Sequence, residues 1–249
     1  MSKNLYLLSV ISLTALSGMN AQCVITDEVR IAAGTMAPPF ASCGDVVTYQ
    51  GYEYGTVQIG DQCWFAENLQ SEHYQNGDAI SSNLSESEWI STNSGAVAVY
   101  GDNALNLETY GRLYNWYAVD DARGLCPSGW HVPTDGEWKS LEMALGMGEA
   151  EANGTGWRGT DQGAQMKMTS GWADDGDGTN LSGFSGLPGG YRDNNGHWYS
   201  VGYHGDFWSS TSDDTSAWLR YLDNNYEAVN RHSNDRHFGF SVRCIEDAE

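Results

Sequence analysis

Basic residues are scarce in this chain: lysine and arginine number 12 against 33 aspartates and glutamates, for a formal net charge of −21, and lysine occurs only at Lys3, Lys139 and Lys167. Nucleic-acid backbones are held by clustered Lys and Arg that displace counterions, so that class of partner is excluded. Membrane-length apolar runs are lacking too. The stretch from Leu5 to Leu16 falls short of the roughly 20 residues that cross a bilayer, and no membrane span is expected. Several catalytic and metal signatures are also missing. With no Cys-x-x-Cys and no His-x-x-x-His there is no zinc-type spacing, and with no Gly-x-Ser-x-Gly there is no nucleophile elbow. No repeat of about 20–50 residues signals a solenoid or propeller.

What is present begins with a leader. Lys3, the apolar run and Ala21 give residues 1–21 the pattern of a secretory signal peptide, which implies export to a secreted or cell-surface location. A lipoprotein leader is the weaker alternative, because Gln22 precedes Cys23 where a small residue is usual. Residues 22–45 read as an irregular lead-in and residues 46–249 as one domain. Export places Cys23, Cys43, Cys63, Cys126 and Cys244 in an oxidising compartment. Sequence does not choose among their pairings. The preferred pair is Cys126 with Cys244, whose long loop would restrict the unfolded chain by roughly 4–5 kcal/mol. Cys23 with Cys43 is second, leaving Cys63 single.

From Val46 to Leu69, β-branched and aromatic runs broken by Gln50-Gly51 and Gly60-Asp61 predict a meander of short strands. Residues 70–105 read as long surface loops with one strand near Ala96–Tyr100. Leu113, Trp116 and Tyr117 stand at helical spacing and predict a short helix over Arg112–Val119. Thr134 and Glu137 have the spacing of a capping box, followed by Trp138, Leu141 and Leu145 on one face and Gly146 as the stop. That predicts a helix over Asp135–Leu145 with an apolar face that needs a sheet to pack on. Beyond Gly183 helix formers thin out, and Trp198, Trp208 and Trp218, ten residues apart, suit strand, turn, strand. The fold class is therefore α+β.

Six blocks in order then carry a resemblance. They are Ile59–Leu69, Tyr110–Trp116, Cys126–Thr134 (Cys-Pro-Ser-Gly-Trp-His-Val-Pro-Thr), Gly183–Gly190 (Gly-Phe-Ser-Gly-Leu-Pro-Gly-Gly), Phe207–Thr211 and Gly239–Cys244. From about Tyr49 to Ile245 the chain resembles the Fibrobacter succinogenes major paralogous domain, a family of exported bacterial proteins without an established activity. That family is similar in turn to the formylglycine-generating-enzyme branch of the C-type-lectin-like fold. The shared features are the Pro-Thr-x-x-Glu-Trp helix start, Gly-Gly-Tyr-Arg at 189–192, and a Gly-Phe-x-x-Arg closing strand. The resemblance implies small twisted antiparallel sheets, two flanking helices, long loops, and a bridge from helix start to final strand. Catalytic members of that branch use a cysteine pair near the C-terminus. Only Cys244 lies there, so the resemblance implies a structural thiol and no such oxidase activity.

Two segments remain as site candidates. Asp174, Asp175, Asp177 and Asn180, on a glycine-bent loop, have the composition of a calcium site, though not the spacing of an EF-hand. The alternative is an acidic surface turn, and no other cofactor is expected. Gly154-Thr155-Gly156-Trp157-Arg158-Gly159 matches a dinucleotide string, but the polar residues before it deny it a strand, and it reads as a loop. Residues 191–238 have the composition of a recognition surface, in which Trp and Tyr supply rigid contact area and Asn and His adaptable hydrogen bonds. One cluster holds Asn194, Asn195, His197, Trp198, Tyr199, Tyr203 and His204. The other holds Tyr221, Asp223, Asn224, Asn225, Tyr226, Asn230, His232, Ser233 and Asn234. Trp208, inside a block that carries the resemblance, is read as core. The expected function is an exported, non-catalytic binding or adhesion module that presents this surface to a glycan or an extracellular protein. The alternatives are a secreted enzyme using the acidic loop and nearby histidines, and a structural surface module.

Overall fold

Thr134 nucleates the helix that the domain is built against. Its side chain accepts the Glu137 backbone N–H while the Glu137 carboxylate accepts the Thr134 N–H, so both ends of the capping box are closed. The helix stops where expected, at Gly146, which adopts a φ of +101° that a side chain would resist. These features come from a computed structural model that describes residues 43–248. The leader, most of the lead-in, and Cys23 lie outside the described residues.

In chain order the strands are β1 (Val47–Tyr49), β2 (Tyr52–Tyr54), β3 (Thr56–Ile59), β4 (Gln62–Phe65), β5 (Val97–Ala98), β6 (Leu113–Tyr114), β7 (Trp130–His131), β8 (Gly156–Arg158), β9 (Tyr191–Arg192), β10 (Trp198–Tyr199), β11 (His204–Asp213), β12 (Ser216–Asp223), β13 (Val229–Asp235) and β14 (Ile245–Glu246). The helices are α1 (Glu86–Ser91), α2 (Leu105–Tyr110), α3 (Trp116–Val119), α4 (Asp135–Ala144), α5 (Glu149–Ala152) and α6 (Gln162–Met166). All named strand pairs are antiparallel. One four-stranded sheet runs β11-β12-β13-β8, another β3-β4-β14-β7, and β1-β2, β5-β6 and β9-β10 form two-stranded pairs. The domain is thus mixed α and β, with small antiparallel sheets and short helices.

Strand register sorts the side chains of the β11-β12-β13-β8 sheet onto two faces, since directly paired residues point the same way. One face carries Phe207, Leu222 and Val229 into a core with Trp64, Trp138, Leu141, Phe184 and Ile245. On that same face a buried ionic network ties the sheet to α4. Asp135 accepts from Arg220 and Arg231 at 2.8–2.9 Å, and Glu142 accepts from Arg220 and, through both oxygens at 2.8 Å, from Arg158. The other face divides into two halves. At one end Trp208, Leu219 and Ala217 are covered by Tyr114, Trp116, Phe240 and Val242. Trp208 is fully buried and its indole donates to the Tyr114 carbonyl at 2.8 Å, so its core reading holds. The opposite end of that face carries the site described below.

The Cys126–Cys244 bridge is present, with a Cα separation of 5.9 Å. Ile245, the residue after it, pairs with Trp64 of β4 and His131 of β7, so the chain's closing strand is fastened beside the entry to α4. A register shift in β11 between Trp208 and Ser212 lets that strand reach the helix start as well. There the Ser210 N–H donates to the Pro133 carbonyl, and the Asp135 N–H to the Thr211 hydroxyl.

Several expectations are corrected. Cys43 pairs with Cys63, not with Cys23, because the β3-β4 hairpin brings residue 63 back to the start of the meander. The segment 112–119 is a strand followed by a four-residue helix. Asn115 interrupts the helical spacing: its side-chain oxygen accepts the Ala96 and Ala118 N–H groups and caps α3, leaving Leu113 and Tyr114 to pair with β5. Residues 70–105 are not all loop, since Ser85 and Glu88 close a capping box that starts α1. Gly156–Arg158, read as loop, is the edge strand β8 on β13.

Candidate binding site

The open half of the second sheet face is built by alternation. His204 and Asp206 of β11 stand beside Asp223 and Tyr221 of β12, Tyr221 stands beside Asn230 of β13, and Asn230 stands beside Trp157 of β8. Four strands thus deliver aromatic and polar side chains to one surface. Their rings, with those of the β9-β10 pair and of the turn after β12, form a continuous row. Tyr199 stacks on Tyr191 with centroids 5.7 Å apart, Tyr191 on His204 at 5.8 Å, and His204 meets Tyr221 at 4.7 Å. Tyr221 then meets Trp157 at 5.1 Å, and Trp157 stacks on Tyr226 at 4.1 Å. The row ends in two exposed rings, Tyr199 at 45% and Tyr226 at 47% of full exposure. Tyr191, His204, Tyr221 and Trp157 between them are half-buried.

Beside the middle of the row is a half-open hollow of about 160 Å³, lined by Tyr191, His204, Asp206, Tyr221, His232, Asn234, Phe238 and Phe240. Its polar groups are unevenly satisfied. The Tyr221 hydroxyl donates to Asp223 and lies 3.1 Å from Nε2 of His204, which is itself 3.5 Å from the Asp223 carboxylate. Burial, with the Asp223 hydrogen bond second, pushes the Tyr221 hydroxyl above its ordinary range. Burial lowers both His204 and His232, so both rings are neutral at pH 7. Asp206 is 5% exposed, and its Oδ2 is buried with no hydrogen-bond partner among the described residues. Burial, and secondly the charge of Asp223, raise its carboxyl well above the usual carboxylate range.

The predicted site residues distribute as follows. Tyr199, Tyr221 and Tyr226 belong to the ring row. His232 and Asn234 line the hollow, and Asn230 lies beside them with its side-chain oxygen 3.1 Å from His232 Nδ1. Trp198 lies apart from the row, against Tyr100 and over the buried Arg192 guanidinium. Tyr203 is exposed in the turn before β11, and its carbonyl accepts the Asn224 N–H. Asn224 is buried, with its amide donating to the Ala173 carbonyl, so it braces the turn and does not reach solvent. Asn225 is exposed but is held by Asp223 and Asn224. Asn194, Asn195 and His197 lie on the separate β9-β10 turn near Glu86 of α1.

Sequence reading left Trp157 and Tyr191 out of both clusters: Tyr191 lies between Tyr199 and His204, and Trp157 between Tyr221 and Tyr226, while the two clusters meet directly at His204 and Tyr221. Trp157 had one available signal, an aromatic in a stretch punctuated by Gly154, Gly156 and Gly159, but its strand forms only through a partner some seventy positions on.

In the acidic loop, Asp177 accepts the Trp172 N–H, and Asn180 is turned onto Ser185 through both its oxygen and its amide. Asp174 and Asp175 are exposed. The glycine at 176 is explained by packing, because a Cβ there would sit 2.4 Å from the Asn224 carbonyl oxygen. Among the described residues no three acidic, histidine or cysteine side chains converge as a metal-ion set.

A larger hollow, about 430 Å³, lies by the meander between Tyr49, Tyr52, Gln70, His73 and Arg112. Its polar side chains are largely engaged with one another. Arg112 pairs with Glu72 at 2.6 Å and donates to the Gln70 carbonyl, and Ser71 donates to Gln50. The Tyr49 hydroxyl in its lining is buried without a hydrogen-bond partner among the described residues, as Asp206 Oδ2 is in the smaller hollow.

A disulfide-tied, mixed α and β domain whose main sheet holds one face against a helix and leaves half of the other open is the class these features define. The chain belongs to the Fibrobacter succinogenes major domain family, whose family model matches residues 57–246. No curated protein and no solved structure matches it. No helix among the described residues is long and apolar enough to cross a membrane.

Proposed function

We propose that this protein is an exported recognition module that binds a glycan along the ring row from Tyr199 to Tyr226. The observation that carries this reading is the row itself. Rings that follow one another in stacked and tilted contacts, five of them on strands, present a long, shallow, amphipathic surface, and the backbone pairing of those strands lowers the ordering cost of binding. Asn230, His232 and Asn234 beside it supply donors and acceptors of the kind that sort hydroxyl groups. An extracellular protein is the other partner that such a surface suits. Export is supported by the two disulfides, which persist in oxidising compartments. The finer fold assignment, to the formylglycine-generating-enzyme branch of the C-type-lectin-like fold, is supported by the bridge from helix start to final strand and by the pairing of β14 beside it.

A second reading has one observation in its favour. Asp206, His204 and Tyr221, each with a shifted pKa, share the hollow, and such clustering is a mark of acid–base sites. Screening the protein and its Trp157→Ala variant on a glycan array separates the two. The binding reading expects hits that the variant loses. Turnover of an array glycan, abolished by His204→Ala with binding retained, would favour the catalytic reading.

A further inference from the structure

We propose that the hollow beside the ring row is a subsite for the protonated amino group of an amino sugar. The inference rests on the glycan reading for the rest of the ligand and adds the chemistry of one contact. At about 160 Å³ the hollow is below the roughly 300–1,000 Å³ of pockets that enclose a whole small ligand, so it suits one headgroup. Its wall contains the rings of Tyr191, Tyr221, Phe238 and Phe240, and aromatic faces attract ammonium groups. Asp206 also lines it, and its Oδ2 is buried with no hydrogen-bond partner among the described residues. A buried polar group in that state costs stability, and a donor supplied from outside would satisfy it.

Charge around the hollow agrees. No lysine or arginine lines it. The titratable groups facing Asp206 are Tyr191 from β9, His204 on its own strand, Tyr221 and Asp223 from β12, and His232 from β13. Both histidines are held neutral by burial, so they do not repel a cation. The nearest ammonium, Lys167, is spent on the Asp223 and Tyr226 carbonyls. When an ammonium arrives, the Asp206 carboxyl releases its proton to solvent and the carboxylate accepts an N–H bond. No covalent bond changes.

The test is calorimetric titration of the whole protein with n-butylammonium and with n-butanol, then with the glucosamine trisaccharide and its N-acetylated form. The proposal expects each amine to bind at least about tenfold tighter than its neutral counterpart, the scale of a desolvated cation–aromatic contact. It also expects Asp206→Asn to erase that preference while leaving the N-acetylated trisaccharide unaffected. Equal binding of butylammonium and butanol to the unaltered protein would overturn it without reference to any variant. So would a lysine peptide binding more tightly than the amino trisaccharide. Failure of every trisaccharide with butylammonium still bound would instead count against the glycan reading alone.

Discussion

Asp206 is the residue whose state the protein leaves least settled. Burial raises its carboxyl, so the folded chain holds a proton there that the unfolded chain gives up near pH 4. Stability contributed this way is fully present below about pH 4 and is lost as pH rises toward the folded value, because the unfolded state then binds fewer protons. Asp206→Asn removes the titration while keeping the shape. The variant should match the parent near pH 4 and melt roughly 2–4 °C higher at pH 8, as read by thermal unfolding at both values. A melting difference independent of pH would mean that residue 206 does not titrate as described. Nothing local in the sequence marks Asp206. Its role depends on Tyr191, Phe238 and Phe240 lining the same hollow, and only the folded register puts them there. Asn224 shows the same limit from the other side, since an asparagine in an Asn-rich turn reads as surface until its amide is seen on the Ala173 carbonyl.

At the scale of elements, α4 and the main sheet are joined by charges out of water. Glu142 is fully buried and serves two arginines, Arg158 and Arg220. Glu142→Gln would leave Arg158 without a counter-charge and Arg220 with Asp135 alone, so it should lower the unfolding free energy by about 3–5 kcal/mol in denaturant titration. A loss under about 1 kcal/mol would show that water or rearrangement satisfies them. Asp135 behaves in the opposite sense to Asp206. Burial would raise it, but Arg231 and Arg220 outweigh that and hold it well below the usual carboxylate range. Its contribution is present above about pH 4 and is lost as pH falls through its folded value.

Helix α4 was fully legible in sequence because its start, apolar face and stop are all local. Helix α1 was legible by the same rule, Ser85 to Glu88, but the serine- and asparagine-rich surroundings pointed to loop. Strand β8 was not legible, because a three-residue segment in a glycine-rich stretch becomes a strand only when β13 offers an edge.

For the whole molecule, the two disulfides differ in reach. Cys126–Cys244 spans 118 positions and Cys43–Cys63 spans 20. In the loop-entropy model the longer restricts the unfolded chain by about 4–5 kcal/mol and the shorter by about 3 kcal/mol. The double replacement Cys126→Ala with Cys244→Ala should therefore shift the denaturation midpoint further than Cys43→Ala with Cys63→Ala. The long bridge was readable as a preference, since one partner stands just before the capped helix and the other in the last strand-like run of the chain. The short one was not, because it follows from hairpin geometry that spacing alone does not express. The surface follows the same division. The two clusters picked out by composition meet directly at His204 and Tyr221, while Trp157, which carries the row on to Tyr226, enters from an element distant in sequence.

That row is the central claim, and the most direct test is to titrate an array-identified oligosaccharide into the parent protein and into Trp157→Ala. Trp157 bridges Tyr221 and Tyr226, so its loss should weaken binding by roughly thirtyfold or more, the scale of an aromatic hot spot, with the melting temperature nearly unchanged. Equal affinity of the two proteins, or a footprint on the Tyr49–Arg112 hollow instead, would contradict the account.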